Sequence, residues 1–275
     1  PAAKLLERIL VGRRAKWEQD QLRKFKEAGK TPPKGWKEKY EAPSGLGSTA
    51  NTALPPGWCE ATVDQLAEVA TGTTPSRGNA KYYAGGTIPW VTSTAVNAPF
   101  VSEGSELVTE AALNETSLRL YPVHALLIAL YGEGQTRGKV TELLIPATIN
   151  QALAALVLGG HAQACRSYLK LFLVSNYIRL RSQSAGGVQP NLNLGLVRQI
   201  TVPLPPLAEQ SEIVAEVDRR LSVADAAGVQ VAHALQRAAR LRQSILKRAF
   251  EGRLVDQDPS DEPAAVLLRR IEAGG

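Results

Sequence analysis

The side chains that could carry chemistry are few, and their spacing argues against catalysis. There are three histidines, His124, His161 and His233, and none has a cysteine or carboxylate at a ligand-like spacing. The two cysteines, Cys59 and Cys165, stand alone rather than in a CxxC pair. That pattern reads as reduced structural thiols, not as a disulfide framework or a zinc site. No G-x-S-x-G elbow, Walker loop, HExxH, N-P-P-[FY] or D…(D/E)-x-K cluster is present. The glycine-bearing stretch Tyr131–Gly138 lacks the G-K-[ST] ending of a phosphate loop. No catalytic residue and no metal ligand is expected.

A different chemistry is available in three breaker-rich stretches. Thr73–Tyr83 carries Ser76, Arg77, Asn79 and Lys81. Gly132–Lys139 carries Gln135, Thr136, Arg137 and Lys139, and Gln183–Asn193 carries Gln189, Asn191 and Asn193. Arg and Lys pair with guanine edges or phosphates, and Asn and Gln pair bidentately with adenine. These eleven residues are the candidate DNA contacts. The alternative for each is an ordinary solvated loop residue, and the sequence does not separate base contacts from phosphate contacts. Bulk charge adds little. Residues 1–43 hold 12 of the 32 basic side chains and 6 of the 26 acidic ones, so that segment carries the whole excess of +6.

The elements that must position these loops follow from breakers and periodicity. At 275 residues and 44% hydrophobic content the chain can bury a sizeable core. No apolar run approaches membrane-spanning length and no secretory leader profile opens the sequence, so a cytoplasmic protein with no membrane contact is expected. Residues 1–28 read as a basic helix, with Leu6, Ile9, Leu10, Trp17 and Phe25 among its charges and Gly29 as its stop. The prolines and glycines of 29–53 read as a linker. Across 54–206 short apolar runs alternate with Gly, Asn, Ser and Pro, which predicts a mixed α/β (α+β) domain. Ile88–Val91, Ala125–Tyr131 and Leu153–Leu158 are strand candidates, the last two also compatible with short buried helices; Ser167–Arg181 has helical spacing.

After the proline-rich Val202–Pro206 the texture changes, and 207–254 reads as one long helix without proline. Val214, Val217, Leu221, Ala224, Val231, Leu235, Ala238 and Ile245 fall on a heptad seam, interrupted by Gly228 and Arg242. Such a helix is about 60 Å long and cannot bury its stripe against one small domain. A partner helix is therefore expected, contacting Val214, Val217, Leu221, Val231, Leu235 and Ile245. Residues 255–275 read as a tail with a short helix.

A repeat frames the whole. Residues 1–9 (P-A-A-K-L-L-E-R-I) match residues 263–271 (P-A-A-V-L-L-R-R-I) at seven of nine positions. The economical reading is that the chain begins inside the tail of one repeat and runs through the next.

Several stretches, in order, resemble the specificity subunits of type I restriction–modification systems. They are L-P-P-G-W (Leu54–Trp58), V-A-T-G-T-T-P-S-R (Val69–Arg77), Y-Y-A-G-G-T-I-P-W-V (Tyr82–Val91), L-L-I-A-L-Y-G (Leu126–Gly132), G-K-V (Gly138–Val140) and N-Q-A (Asn150–Ala152). Q-P-N-L-N (Gln189–Asn193), I-T-V-P-L-P-P-L-A-E-Q (Ile200–Gln210) and L-R-Q-S-I-L-K-R-A-F-E-G-R-L (Leu241–Leu254) complete the set. The resemblance implies a target-recognition domain reading one half of a split site in double-stranded DNA, flanked by long helices that pair as an antiparallel coiled coil. It implies docking to DNA methyltransferase subunits, and through them to restriction subunits. S-adenosylmethionine and ATP would belong to those partners, leaving this chain no cofactor of its own and no catalysis. Self-association through the long helices would make a dimer. A stand-alone DNA-binding regulator would not need the seam, and a helical scaffold would not need the polar loops.

Overall fold

The computed structural model describes residues 1–46, 53–131, 136–178 and 192–274. They form two compact units, Pro1–Ala215 and Glu216–Gly275.

The first unit is built on a five-stranded sheet of order β2-β9-β6-β7-β4 (β2 Glu68–Thr71, β4 Phe100–Val101, β6 Leu126–Ala129, β7 Val140–Leu143, β9 Leu153–Val157). Its pairs are antiparallel except β4 with β7, which are parallel. The runs left open between strand and helix, Ala125–Tyr131 and Leu153–Leu158, form β6 and β9. The reason is visible in their alternation. Leu126, Ile128, Ala154 and Leu156 enter one core cluster, while Leu127, Ala129, Leu153 and Ala155 enter another on the opposite face. A period of two with both faces covered hides the usual apolar–polar alternation.

A three-stranded sheet of order β5-β3-β8 stands beside it (β3 Ile88–Val91, β5 Glu106–Val108, β8 Thr148–Ile149). Trp90 of β3 is buried with Val108, Ala112 and Leu118 in a third cluster, Ala112 belonging to α3 (Glu110–Glu115). Strands β1 (Cys59–Thr62) and β10 (Thr201–Leu204) pair antiparallel and bring the start and end of this domain together. Trp58 Nε1 then donates to Glu209 Oε2 at 3.0 Å, tying the domain entrance to the first turn of the helix that follows. Helix α2 (Val63–Leu66) starts with a capping box between Thr62 and Gln65. The predicted helix over Ser167–Arg181 is α4, Arg166–Ser175; residues 179–181 lie outside the described residues.

Helix α1 spans Ala2–Glu27, and its opening turns join the domain core through Ala2, Leu5, Leu6 and Ile9. The segment expected to be a linker is held down where it is described. Trp36 stacks on Trp17 with ring centroids 5.9 Å apart, Tyr40 sits 5.4 Å from Trp17, and Lys37 pairs with Glu18 at 2.9 Å. The Thr62 hydroxyl donates to Ser44 O, and Ser44 N donates to Asp64. Prolines and glycines stop the helix there, but aromatic rings supply enough contact area to lay the chain back along α1.

Helix α5 (Leu194–Arg198) precedes β10, and α6 runs unbroken over Leu207–Phe250. Gly228 does not end it, since one glycine costs roughly 1 kcal/mol against the cooperativity of 44 residues. Val214, with Ile213, is half-buried against the recognition-domain core, so part of its side chain is covered by its own domain. Val217 is half-buried, whereas Leu221, Val231, Leu235 and Ile245 are exposed. The second unit contains the remainder of α6 and a short helix, α7 (Ala264–Ala273).

Candidate nucleic-acid interface

Strand register brings the polar loops to one end of the five-stranded sheet. β2 ends at Thr71 opposite Ala154, and β6 ends at Ala129 opposite Leu153. The chain leaving both strands therefore emerges beside the turn Asn150–Ala152 that leads into β9. Leu130 N donates to Ala152 O at 2.8 Å, and Leu192 N donates to Leu130 O at 3.2 Å, which draws Leu192 and Asn193 to the same end. Asn150 N donates to Val91 O at 3.0 Å, so β3 also delivers its following residues, Thr92–Thr94, to this place. Gly72 permits the closest approach: a Cβ there would meet the Ile149 carbonyl oxygen at 1.8 Å. Its role is close packing rather than a left-handed turn.

The predicted contacts fare differently once placed. Ser76 and Arg77 are exposed in the loop after β2. Arg77 is anchored: Nη1 and Nη2 reach Glu106 Oε2 and Oε1 at 2.5 and 2.8 Å, and its guanidinium lies 5.0 and 4.9 Å from the Tyr83 and Trp90 ring centroids. This bidentate bond pushes the Arg77 guanidinium further up and holds the Glu106 carboxyl below its usual range. Lys81 pairs with Glu115 of α3 at 2.5 Å, and both side chains are exposed. Asn79 and Asn193 accept from Lys81 N and Leu196 N, so both cap short helices. Thr136, Arg137 and Lys139 are half-buried at the start of β7, with Lys139 Nζ donating to Asn97 Oδ1 at 2.9 Å. Gln135, Gln189 and Asn191 lie outside the described residues.

Other polar residues at this end were not singled out from sequence. Thr74 Oγ1 donates to Gln151 Oε1 at 2.5 Å, Thr73 bonds Ser117, and Thr92 bonds Thr94 and Ser105. Gln151 and Asn97 are exposed. The place of Gln151 within N-Q-A was legible and that of Asn97 was not, and their grouping depends on register. His124 also departs from expectation. Its Nδ1 sits 3.0 Å from the Glu142 carboxylate, which Arg166 and Lys170 approach at 3.1 and 3.2 Å. Two cationic side chains and an imidazole around one largely buried carboxylate make a structural polar cluster. Among the described residues no group of three or more His, Cys, Asp and Glu is arranged to hold a metal, and no helix is long and apolar enough to cross a membrane. Burial pushes both thiols up, which suits Cys59 and Cys165 to packing.

The fold and this end of it define a class: an α/β binding module that presents polar loops from one end of its sheet and continues into a long helix. Residues 55–222 match the family described as the type I restriction modification DNA specificity domain, and the chain belongs to that family. Over 94 residues it is 42% identical to the type I restriction enzyme EcoDI specificity subunit of Escherichia coli, covering 31% of this chain and 21% of that protein. It is 30% identical over 165 residues to the MjaIX specificity subunit of Methanocaldococcus jannaschii, covering 58% of this chain and 37% of that one. The matched length is thus well under two thirds of either relative. In fold it is similar to the HsdS subunit from Thermoanaerobacter tengcongensis (TM-score 0.51, 21% identity, 92% of this chain and 57% of that one). A chain from a solved structure concerned with complex assembly in the type I R-M system aligns with TM-score 0.58 and 21% identity, over 92% of this chain and 58% of that one.

Proposed function

We propose that this chain reads one half of a split target in double-stranded DNA for a type I restriction–modification complex, without catalysis of its own. The observation that carries the reading is the convergence of residues 72–77, 92–97, 136–139 and 150–152 at one sheet end, within a domain of the specificity family. Ser76, Thr136, Arg137, Lys139, Asn97 and Gln151 are the side chains we assign to the DNA face, with Arg77 as a charge held ready at its rim. Asn79, Lys81 and Asn193 act in support, through the caps and ion pair they make. The long helix sets the distance to a second recognition domain by pairing antiparallel with an equivalent helix. It also gives the chain a route to self-association. Methyltransferase subunits dock on this assembly and restriction subunits join through them. S-adenosylmethionine and ATP belong to those partners, and the complex acts in the cytoplasm, where its DNA lies.

The test is co-purification with a methyltransferase subunit, followed by selection of DNA targets by the complex. Recovery of one half-site sequence that is lost on combined Arg137→Ala and Lys139→Ala substitution supports the reading. Equal retention of every sequence, or cleavage or methyl transfer by the clean isolated chain, rejects it.

A further inference from the structure

The turn that carries Gln151 is tied down at several points. Asn150 N donates to Val91 O at 3.0 Å, and Asn150 Oδ1 accepts from Ala152 N at 3.1 Å. Ala152 O accepts from Leu130 N at 2.8 Å, and the Thr71 hydroxyl donates to Leu153 O at 2.8 Å. The segment facing this turn is fixed as well. Thr73 N donates to Ile149 O at 3.0 Å, while Pro75 is buried and its O accepts from the Tyr83 hydroxyl at 2.6 Å. Thr74 lies between those two anchors, half-buried, and its Oγ1 donates to Gln151 Oε1 at 2.5 Å. Gln151 itself is exposed, and its Nε2 has no hydrogen-bond partner among the described residues.

The hydroxyl therefore turns the carbonyl end of the amide onto Thr74, and the amino end is what the side chain offers to a ligand. Reading adenine takes an acceptor and a donor side by side on one edge, and that edge is lost when Oε1 is held. Reading guanine takes two parallel donors, as on a guanidinium, whereas the two N–H bonds of one amide diverge. A single N–H satisfies N7 of either purine and does not tell them apart. An amino group held in this way suits an acceptor that recurs at every step of the duplex, a phosphate oxygen.

We propose that Gln151 donates from Nε2 to a phosphate of the DNA backbone, and that Thr74 is a positioning residue that sets its amide for that bond. This assignment rests on the DNA-reading function above and deepens it. Gln151 fixes where the duplex sits on the sheet end, and the choice of bases falls to other side chains of the same face. Residue type alone points elsewhere, since a glutamine on a DNA face is ordinarily a reader of adenine. The rigid turn matters because a donor already in place gives up little freedom when the phosphate arrives.

DNA titrations of the methyltransferase-loaded full chain and its variants test the pair. Gln151→Ala should weaken binding to target and non-target DNA alike by about tenfold, with their ratio unchanged within about twofold. Thr74→Val keeps the shape and removes the hydroxyl, so it should lose about threefold or more, and Thr74→Ser should restore wild-type affinity. In the Gln151→Ala background Thr74→Val should cost nothing further, whereas a role in loop packing alone would add its loss to that of Gln151→Ala. Duplexes carrying one methylphosphonate at a time locate the contact. At one position the wild type should fall to the level of Gln151→Ala, and Gln151→Ala itself should lose no more. A loss confined to target DNA would make Gln151 a base reader and overturn the proposal, as would unchanged affinity in Gln151→Ala or additive losses in the double variant. If Thr74→Val does not fold, Gln151→Ala and the methylphosphonate series decide the matter. Failure of the wild-type complex to select any half-site rejects the DNA-reading function and this assignment together. Selection that survives Gln151→Ala at wild-type strength rejects the assignment alone.

Discussion

Gly72 and Ile149 approach so closely that a Cβ on Gly72 would lie 1.8 Å from the Ile149 carbonyl oxygen and 2.3 Å from its carbon. The next amide, Thr73 N, donates to that same oxygen at 3.0 Å. This contact joins the exit of β2 to the end of β8 and aims the loop carrying Ser76 and Arg77. Gly72→Ala must separate two backbones, and should cost about 1–3 kcal/mol of stability. Urea denaturation measures the loss, and DNA affinity should fall with it. A variant as stable as wild type would show that the junction yields freely.

Arg77 is held by a carboxylate, which yields a prediction of opposite signs for the two partners. Glu106→Gln removes the charge that engages the guanidinium, so DNA affinity at low salt should rise and the salt slope steepen by about one phosphate contact. Arg77→Ala should weaken specific binding by about 1–3 kcal/mol if the side chain reaches a base. Titrations at several salt concentrations read both. Unchanged affinity in both variants would confine Arg77 to its stack on Tyr83 and Trp90.

Lys139, bonded to Asn97 beside the sheet end, suits a phosphate contact. Lys139→Ala should weaken binding nearly equally for target and non-target DNA and lower the salt slope by about 1. A loss limited to target DNA would instead make it a base reader.

Glu68 and Arg119 supply a pH signature. The hydrogen bond from Arg119 holds the Glu68 carboxyl below its usual value. A carboxylate depressed in the folded state contributes stability above its unfolded pKa, and that contribution is lost as pH falls through the folded value. Both side chains are about half-exposed, so the pair is worth on the order of 0.2–1 kcal/mol. Glu68→Gln should therefore lower stability slightly at neutral pH and in low salt, with the difference closing in acid below the depressed pKa. Denaturation midpoints at the two pH values check it; a constant difference would assign the effect to packing.

The open seam of α6 gives the last expectation. Leu221→Asp/Leu235→Asp should abolish self-association while the recognition domain keeps its melting behaviour, because neither side chain enters its core clusters. Sedimentation equilibrium distinguishes the outcomes. A wild-type chain that stays monomeric throughout the micromolar range would remove the self-pairing.

Much of this protein was local and so legible in the residues alone. The proline-free stretch after Pro206 is enough to make α6, because helix hydrogen bonds close within four residues. Short apolar runs between breakers mark β3 and place the segments that become β6 and β9, whose type stayed open between strand and short helix, and an ordered series of family stretches identifies the domain. What joins distant positions was not legible. Arg77, Lys81 and His124 have carboxylate partners 29, 34 and 18 residues away, and no spacing rule connects them. Val214 fits the heptad as well as Leu221 does, yet the fold places it against its own domain. The polar loops form one face only because β2 and β6 end on either side of the start of β9. Periodicity states which face of a strand is buried. Which strands become neighbours, and at what register, depends on the packing of the whole sheet, and that is decided only in the folded chain.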